Sequence, residues 1–332
     1  MNLAKNGKFY LMKYTAKFKD ISKDDSNTAG GKGASLGEMT QAGILVPDGF
    51  VVLSSTFSEF LLEADLIQEI KSILSKVDNK VIHTVESASE KIRSLISEQE
   101  IPTTIATSLL KDFDNLGSEF VAVRSSATAE DGAEHAWAGQ LESYLNTSKE
   151  NLLENIKKCW SSLFTPRAIF YRFEKDLHGT DISVAVVIQK MVQSEKSGIA
   201  FSVHPVTEDQ NQLIIEAGFG LGEAIVSGAI TPDSYVVQKN PREIIDINVN
   251  TQLEVLVRNK TEGNKWETIP EKSGSLPVLS KMEILELAKL VMKIEDYYGF
   301  PCDIEWAFEN GRFYITQSRP ITTLSSKNET DS

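Results

Sequence analysis

"ISVAVVIQKMV" (residues 182–192) is the stretch on which the fold turns. Val184, Ala185, Val186, Val187 and Ile188 are apolar without a break, and four of them are β-branched. A half-buried strand would alternate with polar residues. An unbroken β-branched run predicts a strand covered on both faces. Upstream lie helical patterns: "FSEFLLEADLIQEIKSIL" (57–74), "VESASEKIRSLISEQE" (85–100, closed by Pro102) and "TIATSLLKDFDNLG" (104–117). They predict a helical block on the first lobe. A strand, "EFVAVRSSA" (119–127), follows, and then one helix, or two meeting at Pro166, over 151–177. Downstream, "SGIAFSVHP" (197–205) and "QLIIEAGFG" (212–220) continue a sheet, residues 241–279 read as short strands and turns, and 281–299 form an amphipathic helix stopped at Gly299. Strands alternating with helices give an α/β (or α+β) class in two lobes. The expected division is 1–187, 188–322 and a disordered polar tail at 323–332.

The bulk numbers narrow the function classes. The chain has 332 residues, 41% hydrophobic and 24% charged, with a net charge of −13. That balance disfavours a nucleic-acid binder, which carries a basic face. The lysine-broken N-terminus lacks a signal-peptide core, and no apolar run reaches the roughly 18 residues of a membrane span. Two distant cysteines make neither a disulfide framework nor a metal pattern. These features predict a soluble cytoplasmic protein that works at no membrane.

Several motifs carry chemistry. "GGKGASLGE" (30–38) has glycines and Lys32 ahead of a helix expected to start near Ser35, where Ser35 and Glu38 have capping-box spacing. It reads as a phosphate cradle, or as a glycine-rich turn with a solvated lysine. It is not a Walker A loop, because Gly33 stands where Ser or Thr is required. Arg124 ends an apolar strand and precedes four small residues; it is a phosphate clamp, or a partner of Glu130 or Asp131. "EAGFGLGEAIVSG" (216–228) fails the Rossmann fingerprint at Glu223. It is either a bulged strand end or a loop approached closely by a ligand, flanked by Glu216 and Glu223.

"CDIEWAFENGRFYITQSRP" (302–320) predicts a hairpin whose turn decides its chemistry. A three-residue loop over Glu309–Gly311 puts Asp303, Glu305, Gln317 and Arg319 on one face, which suits Mg²⁺. A two-residue type I′ turn at Asn310-Gly311 puts Glu305 and Gln317 on opposite faces and leaves only a solvated sheet. None of His83, His135, His178 and His204 sits in a catalytic or zinc pattern.

Taken in order, "GGKGASLGEM…GILVPDGFVV", "VAVRSSATAED", "AGQLESYLN", "CWSSLFTPRAIFYR", "VIQKMV", "EAGFGLGEAIVSGAITPDSYVV" and "DIEWAF…FYITQSRPI" resemble the ATP-binding domain of phosphoenolpyruvate synthase, pyruvate phosphate dikinase and rifampicin phosphotransferase, over about residues 15–322. The resemblance implies a two-lobed ATP-grasp fold with ATP between the lobes, and ATP and Mg²⁺ as cofactors. It implies that Lys32 and Arg124 hold phosphates, that Gly139 and Ser143 lie over them, and that Gln189 and Met191 line the adenine pocket. Glu305 and Gln317 would bind Mg²⁺, and Arg319 would reach the phosphates. Ser143 stands where relatives often carry threonine. The implied reaction is an ATP-dependent phosphotransfer: a histidine on a mobile partner domain attacks the β-phosphate, giving phosphohistidine and AMP, while the γ-phosphate leaves separately. No "TSHAA"-like segment is present, so the histidine is expected on a swivelling domain or subunit supplied in trans. The rival expectations are a non-catalytic ATP sensor acting by lobe closure, and a small-molecule kinase that would release ADP.

Overall fold

The computed structural model describes residues 13–128, 142–175, 183–261, 263–322 and 324. The elements in chain order are β1 (Thr15–Lys17), α1 (Ser26–Gln41), β2 (Gly49–Val52), α2 (Ser54–Glu63), α3 (Ile67–Leu74), α4 (Ile82–Glu98), α5 (Thr103–Leu116), β3 (Val121–Ala127), β4 (Ser143–Thr147), α6 (Leu152–Ser161), α7 (Pro166–Glu174) and β5 (Val184–Lys190). Then come β6 (Lys196–Phe201), β7 (Gln212–Phe219), α8 (Glu223–Val226), β8 (Asp233–Gln238), β9 (Glu243–Asn248), β10 (Glu254–Arg258), β11 (Asn264–Thr268), α9 (Glu271–Gly274), α10 (Lys281–Tyr298), β12 (Cys302–Glu309) and β13 (Arg312–Pro320). This is a mixed α/β protein. It divides into two compact units that are not contiguous in sequence: residues 1–34 with 49–189, and 35–48 with 190–332. No helix among the described residues is long and apolar enough to cross a membrane.

The first unit holds a five-stranded sheet in the order β1-β2-β5-β3-β4. Every residue of Val184–Ile188 in β5 is fully buried, as the unbroken β-branched run requires of a central strand. Helices α2–α7 pack on the sheet around Phe57, Phe60 and Trp160, whose rings stack with Trp160 centroids 5.4 and 5.0 Å from the two phenylalanines. Of the 151–177 pattern, the described residues, which run to 175, form two helices, α6 and α7. Thr165 caps α7 by accepting from the Ala168 N–H, and Pro166 takes the first helical position, where its missing N–H is no loss.

The second unit is built on a six-stranded antiparallel sheet in the order β13-β12-β6-β7-β8-β9, with α10 packed against it. Ser280 and Glu283 close a capping box at the start of α10, and left-handed Gly299 ends it. Ile284, Leu287, Val291 and Ile294 form its buried stripe. The sheet has a buried face, carrying Ile304, Trp306, Ala200, Ile215 and Tyr235, and a more open one, carrying Asp303, Glu305, Ile199 and Glu216.

Two local expectations are corrected. The helical span α1 opens at Ser26, not near Ser35, and is two helical segments meeting in a kink at Gly30, whose backbone is not helical (φ 67°, ψ 168°). The capping box lies upstream, at Ser22 and Asp25. Ser35 is inside the helix, where its hydroxyl donates to the Ser318 carbonyl at 2.8 Å. The hairpin turn has two residues, with Glu309 opposite Arg312 and positive φ at both Asn310 and Gly311. Asn-Gly is the pair that a type I′ turn selects, and its twist matches that of the strands.

Candidate functional site

The first unit assembles a cationic cradle around one serine. In β3, Arg124 is the one residue that is not buried. Residues i and i+2 of a strand share a face, so Ser126 stands beside it on the same side. The Ser126 hydroxyl oxygen accepts two main-chain N–H bonds, from Lys32 at 3.1 Å and Gly33 at 3.3 Å. The Lys32 ammonium donates to the Ser125 carbonyl at 3.1 Å. Lys32 is thereby tied to the strand that carries Arg124, through both its backbone and its side chain.

Gly30 makes this approach possible. A Cβ there would lie 2.2 Å from Ser126 Oγ and 2.4 Å from the Ser126 carbonyl oxygen. Its φ and ψ also fall in a region open essentially to glycine alone. Ser143 is the direct partner of Arg124 across the β3–β4 ladder, so its hydroxyl joins the same face. Gly139, and the Glu130 and Asp131 offered as ion-pair partners of Arg124, lie outside the described residues.

At the end of the same unit, Gln189 is 2% exposed, and among the described residues its amide nitrogen has no hydrogen-bond partner. Leaving a buried donor unmade costs about 1–3 kcal/mol, which a ligand acceptor would relieve. In the second unit, Met191 packs with Leu221, Ala224, Leu256 and Ile230 in a small apolar cluster at the glycine-rich 218–222 turn. Gly220 Cα passes so close to Leu256 that a Cβ would meet its carbonyl at 2.4 Å.

On the open face of the second sheet, Glu305 stands directly opposite Gln317 and Asp303 opposite Arg319. Opposed residues of an antiparallel pair point to the same side. The two-residue turn alone would have set Glu305 and Gln317 on opposite faces. A register shift between Glu305 and Trp306 reverses this: Trp306 pairs with Ile315, Glu305 with Gln317, and Thr316 is the extra residue. The bulge therefore delivers the clustered arrangement through a different turn from the one expected.

Arg319 holds Asp303 with Nε and Nη2 at 2.8 and 2.7 Å from Oδ2. Burial raises the Asp303 pKa, and Arg319 counteracts that rise. Register continues the row from Glu305 through Ile199 to Glu216. Burial, and then the Asp303 charge, raise the Glu216 pKa. Among the described residues no three or more His, Cys, Asp or Glu are grouped to hold a metal ion. One carboxylate beside one amide oxygen instead fits a hard cation that leaves its other positions to water and phosphate.

In the first unit Arg124 and Ser143 are thus paired across β3 and β4, with Lys32 tied to the adjacent Ser125 and Ser126, and in the second Glu305, Gln317 and Arg319 share one patch. Sequence reasoning missed Ser126 as the peg of the cradle, the need for glycine at position 30, and the bulge at Thr316. Of the histidines, His83 is exposed on α4, and His204 Nδ1 accepts from the Val206 and Thr207 N–H groups. His135 and His178 lie outside the described residues.

Comparison with known proteins gives a consistent set of relatives. Residues 26–332 match the family described as "Pyruvate phosphate dikinase, AMP/ATP-binding domain". A probable phosphoenolpyruvate synthase of Methanocaldococcus jannaschii is 43% identical over 98% of this chain and 28% of its own length. One of Archaeoglobus fulgidus is 46% identical over 92% of this chain and 41% of its own. A rifampicin phosphotransferase of Bacillus cereus is 38% identical over 95% and 36%. The chain spans less than half the length of each of these relatives. A solved D-alanine–D-alanine ligase from Helicobacter pylori shares 12% identity over 71% of this chain and 53% of that one, with a TM-score of 0.31, at which the overlap decides nothing.

Proposed function

This chain belongs to the pyruvate phosphate dikinase AMP/ATP-binding domain family, and on that premise we propose that it binds Mg·ATP and presents the β-phosphoryl group to a histidine carried on another domain or subunit. Attack by an imidazole nitrogen on the β-phosphorus forms the N–P bond. The bond from that phosphorus to the α–β bridging oxygen breaks and the oxygen leaves with AMP; water then cleaves the β–γ linkage, releasing inorganic phosphate and leaving phosphohistidine. Such transfer needs positioning and charge neutralisation more than covalent help from the protein.

Lys32 and Arg124 hold phosphate oxygens from the first unit, with Gly139 and Ser143 beside them. Gln189 and Met191 receive the adenine. Glu305 and Gln317 hold magnesium, and Arg319 joins them at the phosphates. Magnesium, when bound, neutralises phosphate charge. The chain's own residues orient the nucleotide: the Lys32 and Arg124 donors match the tetrahedral oxygens, and the Gln189 amide gains the acceptor it lacks. The observation that supports this reading best is the register that sets Glu305 opposite Gln317.

Titration calorimetry with Mg·ATP tests it. Wild type should bind, and Arg124→Ala should bind about 10- to 150-fold more weakly, the loss of a charged hydrogen-bond partner. Absence of wild-type binding, or equal binding by the variant, refutes the reading. With a histidine-bearing partner added, the nucleotide product should be AMP; ADP would mean direct kinase chemistry, and no product would mean a sensor.

A further inference from the structure

We propose that Arg93, a residue of the helical block, is a positioning residue for Lys32, acting through Glu142 and Ser125. The proposal rests on Lys32 being a phosphate ligand, the reading given above. The linkage is a continuous series of hydrogen bonds within the first unit. Arg93 Nη2 on α4 donates to Glu142 Oε1 at 3.0 Å, and the Tyr144 hydroxyl donates to Glu142 Oε2. Both carboxylate oxygens are therefore fixed from two different elements. The Glu142 backbone carbonyl in turn accepts the Ser125 hydroxyl at 2.6 Å and the Ser125 N–H at 3.2 Å. The Ser125 carbonyl accepts the Lys32 ammonium at 3.1 Å.

Arg93 and Glu142 are each about one-third exposed, at 35% and 31%. An ion pair that wet contributes little to stability by itself. Its effect lies in where it holds the Glu142 main chain. That carbonyl is the acceptor that orients Ser125, and Ser125 alone in this series touches Lys32. A change at Arg93 should therefore register at Lys32, which lies 61 residues away in sequence by difference of their numbers (93 − 32).

The first test needs no nucleotide. An amine-reactive acylating reagent is applied to the full chain, and the labelling rate of Lys32 is read by peptide mass spectrometry. Arg93→Ala should speed Lys32 labelling about fivefold, since the ammonium loses roughly one net hydrogen bond, while Lys281 labels as in wild type. Arg93→Lys, which keeps a donor, should fall close to wild type. Tyr144→Phe removes the other donor to the same carboxylate, and should reproduce part of the effect if Arg93→Ala does not fold. An unchanged Lys32 rate in folded Arg93→Ala or Tyr144→Phe overturns the proposal, as does equal acceleration at Lys281.

The second test is a double-mutant cycle on Mg·ATP binding. Arg93→Ala should weaken wild type about fivefold and leave Lys32→Ala no weaker than before. Equal loss in both backgrounds refutes the linkage. If wild type takes no Mg·ATP, the functional reading fails while the labelling result still decides the relay.

Discussion

The two candidate patches, one in each unit, are made from different materials. In the first unit the cradle is largely main chain: the Lys32 and Gly33 N–H groups close on Ser126, and Gly30 lets the backbones meet. In the second unit the patch is all side chain, and its residues are neighbours only because of strand register. A cradle of the first kind is intolerant of any added atom. A patch of the second kind is intolerant of lost carboxylate or amide, yet it stands on a sheet whose core lies on the other face. Substitutions in the first should therefore cost stability and binding together, and those in the second binding alone.

Gly30→Ala is the most severe way to test that contrast. The new methyl would overlap Ser126 Oγ at 2.2 Å and force a non-glycine residue to φ 67°. Backbone strain of this type costs about 1–3 kcal/mol, and overpacking adds about as much. Unfolding in urea should show a loss of about 3 kcal/mol, with Mg·ATP binding abolished in the protein that remains folded. Full stability with normal binding would mean that the Gly30–Ser126 approach does not build the site.

Glu305→Gln is the counterpart in the second unit. It keeps shape and removes charge on the open sheet face. Thermal unfolding without nucleotide should be unchanged. Binding of ATP in saturating Mg²⁺ should weaken about 10- to 100-fold, the scale seen when a metal site loses a supporting group. With Mg²⁺ removed by chelation, variant and wild type should bind ATP alike. A variant that keeps its magnesium dependence would place the cation elsewhere.

The same contrast governs how much could be read from the sequence. Residue identity pointed to Lys32 and Arg124 through local signals, a lysine among glycines and an arginine after an apolar run, although Arg124 lies in the middle of β3 and not at its end. It did not report Ser126 as their anchor, because that contact joins residues 94 positions apart. Nor did Ser35 and Glu38 start a helix, although their spacing allowed it. Ser35 is bonded to Ser318 and Glu38 to Tyr297, tertiary partners that propensity does not see. The central strand 184–188 was legible because burial on both faces demands an unbroken apolar run. In the hairpin the Asn-Gly pair announces a type I′ turn, but nothing in the composition of "FYITQ" announces a bulge. Face assignment by counting back from the turn is then off by one, and only the ladder reveals the compensation.

Deleting Thr316 is the mildest perturbation and the one that separates register from bulge. In most strands a one-residue deletion turns every later side chain to the other face. Here Thr316 is the surplus residue, so its removal leaves Ile315 opposite Trp306 and brings Gln317 into the next position, opposite Glu305. Ser318 and Arg319 keep Ile304 and Asp303 as partners. The deletion variant should fold and retain magnesium-dependent ATP binding, measured by the same calorimetry with and without chelator. Loss of magnesium dependence in a folded variant would show that opposition to Glu305 is insufficient, and that the extra local twist of the bulge is what aims the Gln317 amide.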